Sequence, residues 1–116
     1  MKNLNIIKER YMKETPTRRI GHLASDLARI SAFLDNPKNI AAVEDILEES
    51  KYFIEWAVHE APLQTQQLFS VIQPKLALWH LHIRRGTSDA PELQELKRKT
   101  KSWSIRLLRL SGIIAT

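Results

Sequence analysis

Leu93-Gln94-Glu95-Leu96-Lys97-Arg98-Lys99-Thr100-Lys101-Ser102-Trp103-Ser104-Ile105-Arg106-Leu107-Leu108-Arg109-Leu110 decides the fold. Its large apolar residues Leu93, Leu96, Trp103, Leu107 and Leu110 recur three and four apart, with Thr100 in the one polar slot, and the rhythm runs on to Ile114. At about 3.6 residues per turn, such spacing lines one stripe of a helix. Ile20, Leu23, Leu27, Ile30 and Leu34 repeat the pattern near the other end of the chain. Helices bury stripes of this width against other helices.

Breakers place the remaining elements. Thr17 is expected to cap the first long helix, which runs to about Leu34. Asp35-Asn36-Pro37-Lys38-Asn39 reads as a turn, because Pro37 disfavours helix at Asn36. Asn39 is expected to cap a second helix that buries Val43, Ile46, Leu47, Phe53, Ile54, Ala57 and Ala61, and Pro62 closes it. In the third helix Leu68, Val71, Ile72, Leu76, Trp79 and Ile83 are assigned to one face. Pro74 lies inside that segment, so a kink is expected near Ser70 to Gln73. Arg84-Arg85-Gly86 ends the third helix, and Ser88 or Asp89 caps the fourth, with Pro91 and Glu92 in its first turn.

Each helix carries five to seven apolar residues, too few for it to stand alone against the ordering cost of its backbone. Short connections bring consecutive helices back alongside one another. The expected fold is all-α: a single antiparallel up-down-up-down four-helix bundle over residues 17–116, after a short basic leader over 1–16. Residues 1–14 have two readings, a short helix with Leu4, Ile7 and Tyr11 on one side, or a frayed end.

A chain of 116 residues supports one core and one domain. It contains no Cys, which excludes disulfides, thiolate nucleophiles and cysteine-ligated zinc. The residues from Met1 to Arg10 lack the apolar run of a secretory signal, and no run approaches the roughly 20 apolar residues of a membrane span. A soluble, cytoplasmic protein with no membrane partner is expected.

The net charge of +5 is unevenly spread. Residues 39–62 hold Glu44, Asp45, Glu48, Glu49, Glu55 and Glu60 against Lys51, a net of −5. Residues 92–116 hold Lys97, Arg98, Lys99, Lys101, Arg106 and Arg109 against Glu92 and Glu95, a net of +4. In the expected topology these two helices occupy opposite corners. Arg29 is then expected near Glu44, and Lys75 near Glu48. The two edges read either as solvated faces or as surfaces complementary to a second copy or a charged partner.

No catalytic pattern stands out. The glycines are isolated, so no phosphate loop exists, and no Gly-x-Ser-x-Gly or His-Glu-x-x-His is present. Neither His22, His59, His80 nor His82 follows a Glu by three residues, as a di-iron bundle requires. No metal or cofactor is expected. His22 could sit exposed on its helix as in phosphotransfer bundles, but Ser25 and Asp26 stand where those domains place Lys-Gly.

Aromatic residues mark the expected contact surface. Tyr52 and Trp56 lie four apart on a flank of the acidic helix, beside Glu48, Glu49 and Glu55, and such pairs are enriched at interfaces. The leading expectation is a non-catalytic interaction or regulatory module that self-associates. The runner-up is a nucleic-acid-associated protein using Lys97, Arg98, Lys99, Lys101, Arg106 and Arg109. A histidine phosphocarrier or small helical enzyme using His22 or His59 comes third.

Overall fold

Thr15 and Pro16 together start the first long helix. A computed structural model of the chain describes residues 3–115; Met1 and Lys2 of the expected leader, and Thr116 at the end of the expected bundle, lie outside the described residues. Five α-helices are described: α1 Leu4–Lys13, α2 Pro16–Phe33, α3 Ile40–Ala57, α4 Leu63–Arg85 and α5 Ala90–Leu110. Single 3-10 turns at Pro37–Asn39 and Val58–Glu60 precede and follow α3. No strand occurs among the described residues. The fold is all-helical, and its helices pack as a bundle.

The expected leader is largely helix. α1 ends at Lys13, and Thr15 accepts a hydrogen bond from the Arg18 N–H at 3.2 Å to cap α2. Thr17, the expected cap, is already inside the helix. Pro16 explains the shift, since its fixed φ and missing donor suit the first helical position. Asn36 accepts from the Lys38 N–H at 3.0 Å to cap the turn before α3. Asn39 instead donates its side-chain amide to the Phe33 carbonyl at 3.2 Å.

α2 packs most extensively along α5, and its other side meets α3. α3 meets α4, α4 touches α5 more lightly, and α1 lies on α3. Small residues let α2 and α5 approach closely. Ser104 donates to the Ala24 carbonyl at 2.6 Å, and Ser31 donates to the Lys97 carbonyl at 2.9 Å. The Lys97 ammonium returns a bond to the Ser31 carbonyl at 3.1 Å. Thr100, in the polar slot, is fully buried and donates within its own helix to the Leu96 carbonyl at 2.8 Å. The three bonds between α2 and α5 join side chains to main chain, so they fix the register of the two helices.

The middle of each long stripe is buried: Leu23, Leu27, Ile30, Leu96, Trp103 and Leu107 share one core with Val43, Leu47, Ile72 and Leu76, while Leu34, Leu93 and Leu110 are partly buried at its edge. All seven positions expected to be buried along α3 and the turn after it are buried. Ile114 departs from the expected stripe. Gly112 adopts φ 78°, a left-handed closure that ends the rhythm and leaves Ile114 exposed. The same closure sets Ile113 against Gly21, where a Cβ would meet the Ile113 Cδ1 at 3.2 Å. Gly86 closes α4 likewise at φ 67°, with the Thr87 N–H reaching back to the His82 carbonyl at 2.9 Å.

Val71 is the second departure, and it points to solvent with 55% of its surface exposed. At about 100° per residue it lies roughly 100° round from Ile72, off the buried arc. α4 is helical on both sides of Pro74, which faces outward, and Ser70 turns its hydroxyl to the Gln67 carbonyl at 2.5 Å.

Candidate functional site

α3 places the predicted acidic and aromatic residues on several sides of itself. Tyr52 and Trp56 stack at 5.5 Å between ring centroids, as their spacing suggests. Trp56 is not free, however, because α1 lies beside it. Tyr11 stacks on Phe53 at 3.9 Å and tilts against Trp56 at 5.9 Å, while the Lys8 ammonium sits 5.8 Å from the Trp56 ring. The chain's own first helix therefore occupies much of the aromatic flank. Glu55 is exposed beside a shallow pocket that also takes His59 and Phe69. Glu44 turns to α4, 3.7 Å from both His80 Nε2 and Arg84 Nε. Arg29, expected near Glu44, instead pairs with Asp26 on its own helix, and Lys75 reaches Glu95 at 3.4 Å.

Glu49 has the most unusual neighbour. Asp26 is buried in α2 with 5% of its surface exposed, and its Oδ1 accepts from Arg29 Nη1 at 3.2 Å. Its Oδ2 has no donor, and the Glu49 carboxyl lies near the Asp26 carboxyl, so a hydrogen bond between the two acids requires a shared proton. Burial, followed by the hydrogen bond and negative charge of Glu49, pushes the Asp26 carboxyl up to about 9, against the opposing pull of Arg29. The pair opens into a cavity of about 390 Å³ between α1, α2 and α3 that Arg10, Glu14 and His22 also line. His22 is exposed, with Nε2 3.7 Å from Glu14. The acid pair can hold or release one proton. No group of three or more His, Cys, Asp or Glu among the described residues is arranged to hold a metal.

No known family, curated protein or solved structure matches this chain.

The six predicted basic residues cover most of the exposed arc of α5, about 200° at 100° per residue, so they do not form one patch. Lys97, Arg98 and Lys101 border a groove of about 710 Å³ between α2 and α5, which Asp35 and Glu95 share. Lys97 is tied to Asp35 and Ser31, and Trp103 is buried. His82 anchors the end of α4 to the first turn of α5 through Glu92 at 2.7 Å. Burial, and then the nearby Lys51 ammonium, lower His80, which leaves its Nδ1 free to accept from Lys51 at 3.2 Å.

One apolar surface is not expected from the spacing, which puts only Val71 of it on a helix face, the buried one. The outward face of α4 carries Val71, Leu78 and Leu81, exposed by 55%, 43% and 42%, with Pro74 exposed between them and Leu63 exposed by 69% at its start. Between Leu63 and Leu81 that helix contains no acid; its one Lys or Arg is Lys75 on the flank, and His80 is buried on the opposite side. The opposite face buries Leu68, Ile72, Leu76 and Trp79. A helix apolar on both faces is normally covered on both. The signal was present: a single 3.6-residue stripe has no room for Leu78 and Leu81.

Proposed function

We propose that this protein is a small, non-catalytic interaction or regulatory module that self-associates, and that the outer face of α4 is its contact surface. The observation that carries this reading is the row of exposed Val71, Pro74, Leu78 and Leu81 on a helix whose other face already fills the core. Scattered apolar residues on a surface need no partner, but a continuous row along one helix does. The four long helices form an up-down-up-down bundle in this reading, with α1 laid over α3. Cytoplasmic residence fits the absence of Cys. No helix of the described chain is long and apolar enough to cross a membrane.

Light scattering across about a hundredfold range of protein concentration tests the reading. The expected result is a mass that climbs from monomer toward dimer as concentration rises. A monomer mass throughout would overturn self-association. Nucleic-acid binding is the second reading, supported by the basic residues around the α2–α5 groove. It predicts a salt-sensitive shift with generic RNA or DNA that is lost when Arg98 and Lys101 are replaced by Glu.

A further inference from the structure

The geometry points to a two-fold symmetric dimer in which α4 of one copy lies antiparallel on α4 of a second copy, with the axis passing at the height of residue 76. The inference rests on the self-association reading and specifies its surface, partner and direction. Its basis is a symmetry in the outward row itself. Reversing the helix about residue 76 exchanges Val71 with Leu81 and Pro74 with Leu78, so all four apolar residues map onto one another. An isologous contact requires such self-complementarity, because each residue must face the symmetry-related one.

Charge selects the same direction. In the antiparallel arrangement Arg85 meets the partner's Gln67. A parallel arrangement would set Arg85 against the partner's Arg85 and align the two helix dipoles unfavourably. The flanking cations are also drawn off the face on both sides. Lys75 reaches Glu95 of α5 at 3.4 Å, and Arg84 reaches Glu44 of α3 at 3.7 Å. What remains at the centre of the row is uncharged. A second copy suits such a surface better than a charged partner, which would find nothing there to pair with.

The size of the contact sets its strength. A helix of 23 residues is about 34 Å long and about 10 Å wide, so one face offers on the order of 340 Å² a side. Stable interfaces bury roughly 800 Å² a side. The dimer is therefore reversible and concentration-dependent.

The natural chain has no Cys, so one introduced cysteine is the only thiol and crosslinking reads geometry directly. Ala77→Cys lies beside the axis and is expected to give a covalent dimer with a short bismaleimide. Gln67→Cys lies about 27 Å from its own copy along the helix and is expected not to link to itself. Mixed with Arg85→Cys, it should link. Leu78→Glu, at an exposed position, should keep full helicity by circular dichroism while the concentration for half-dimerisation rises about tenfold or more.

The outcomes separate cleanly. A wild-type chain that stays monomeric overturns both the self-association reading and the dimer. A Leu78→Glu chain that dimerises like wild type moves the contact off α4 and overturns the dimer alone. Self-linking of Gln67→Cys makes the pairing parallel, which also overturns the dimer while self-association stands.

Discussion

Asp26 holds a proton that an ordinary aspartate would have lost. In the unfolded chain its carboxyl titrates near the usual value of about 3.9, whereas in the fold it rises to about 9 because it is buried against Glu49. Between those values the folded state binds a proton that the unfolded state releases. Stability from this group is therefore complete below about pH 4 and drains away as pH rises toward 9. The titration belongs to the Asp26–Glu49 pair, since one proton serves both. Asp26→Asn keeps the shape and supplies a permanent donor. We expect the variant to gain on wild type by up to about 4 kcal/mol as pH rises from 5 to 8. Urea unfolding at the two pH values checks it, and parallel pH dependences would contradict the shared proton. The sequence places Asp26 on the edge of the Leu23/Leu27/Ile30 stripe, so its burial was within reach of the periodicity. Its partner was not, because Glu49 arrives from another helix and reads locally as one of a run of wet carboxylates.

One arginine clamps the end of α1, beside the Tyr11 ring that stacks on Phe53. The Arg19 guanidinium is buried and donates to the Tyr11 carbonyl at 3.2 Å, the Met12 carbonyl at 2.7 Å and Glu60 at 2.8 Å. It thus satisfies carbonyls of the last turn of α1 and ties that turn to the segment after α3. Tyr11 answers with its hydroxyl on the Arg19 carbonyl at 2.8 Å. A lysine cannot supply this fork. Arg19→Lys and Arg19→Ala should each lose about 1–3 kcal/mol, with faster amide exchange across α1 and greater quenching of Trp56 by added acrylamide. Arg18→Ala removes only an exposed pair with Glu14 and should cost about 0.5 kcal/mol or less. Equal losses at positions 18 and 19 would show that the clamp is not what holds α1. The helices with one apolar stripe, α2, α3 and α5, were legible from spacing alone. α4 was not, because two apolar faces fit a single period ambiguously and Val71 went to the wrong one. The end of α5 was also missed, although Gly112 carried the signal, because the stripe was followed past the residue that stops it.

The whole surface offers two routes to self-association, and they differ in closure. An acidic α3 edge on one copy meeting a basic α5 edge on the next is head-to-tail, so it adds copies without closing. The two-fold contact on α4 stops at two. Salt distinguishes them as well. The charged route weakens as the Debye length falls from about 10 Å at 0.1 M to about 3 Å at 1 M. The α4 route buries Val71, Pro74, Leu78 and Leu81, and apolar contacts hold or strengthen as salt rises. Much of the charge that the first route needs is also engaged at home: Glu44 with His80 and Arg84, and Lys97 with Asp35. Sedimentation equilibrium in 0.1 M and 1 M sodium chloride is therefore expected to give the same dimer, with no larger species and an affinity at 1 M equal to or above that at 0.1 M. Dissociation at high salt, or growth beyond two copies at low salt, would return the contact to the charged edges that the sequence first brings to notice.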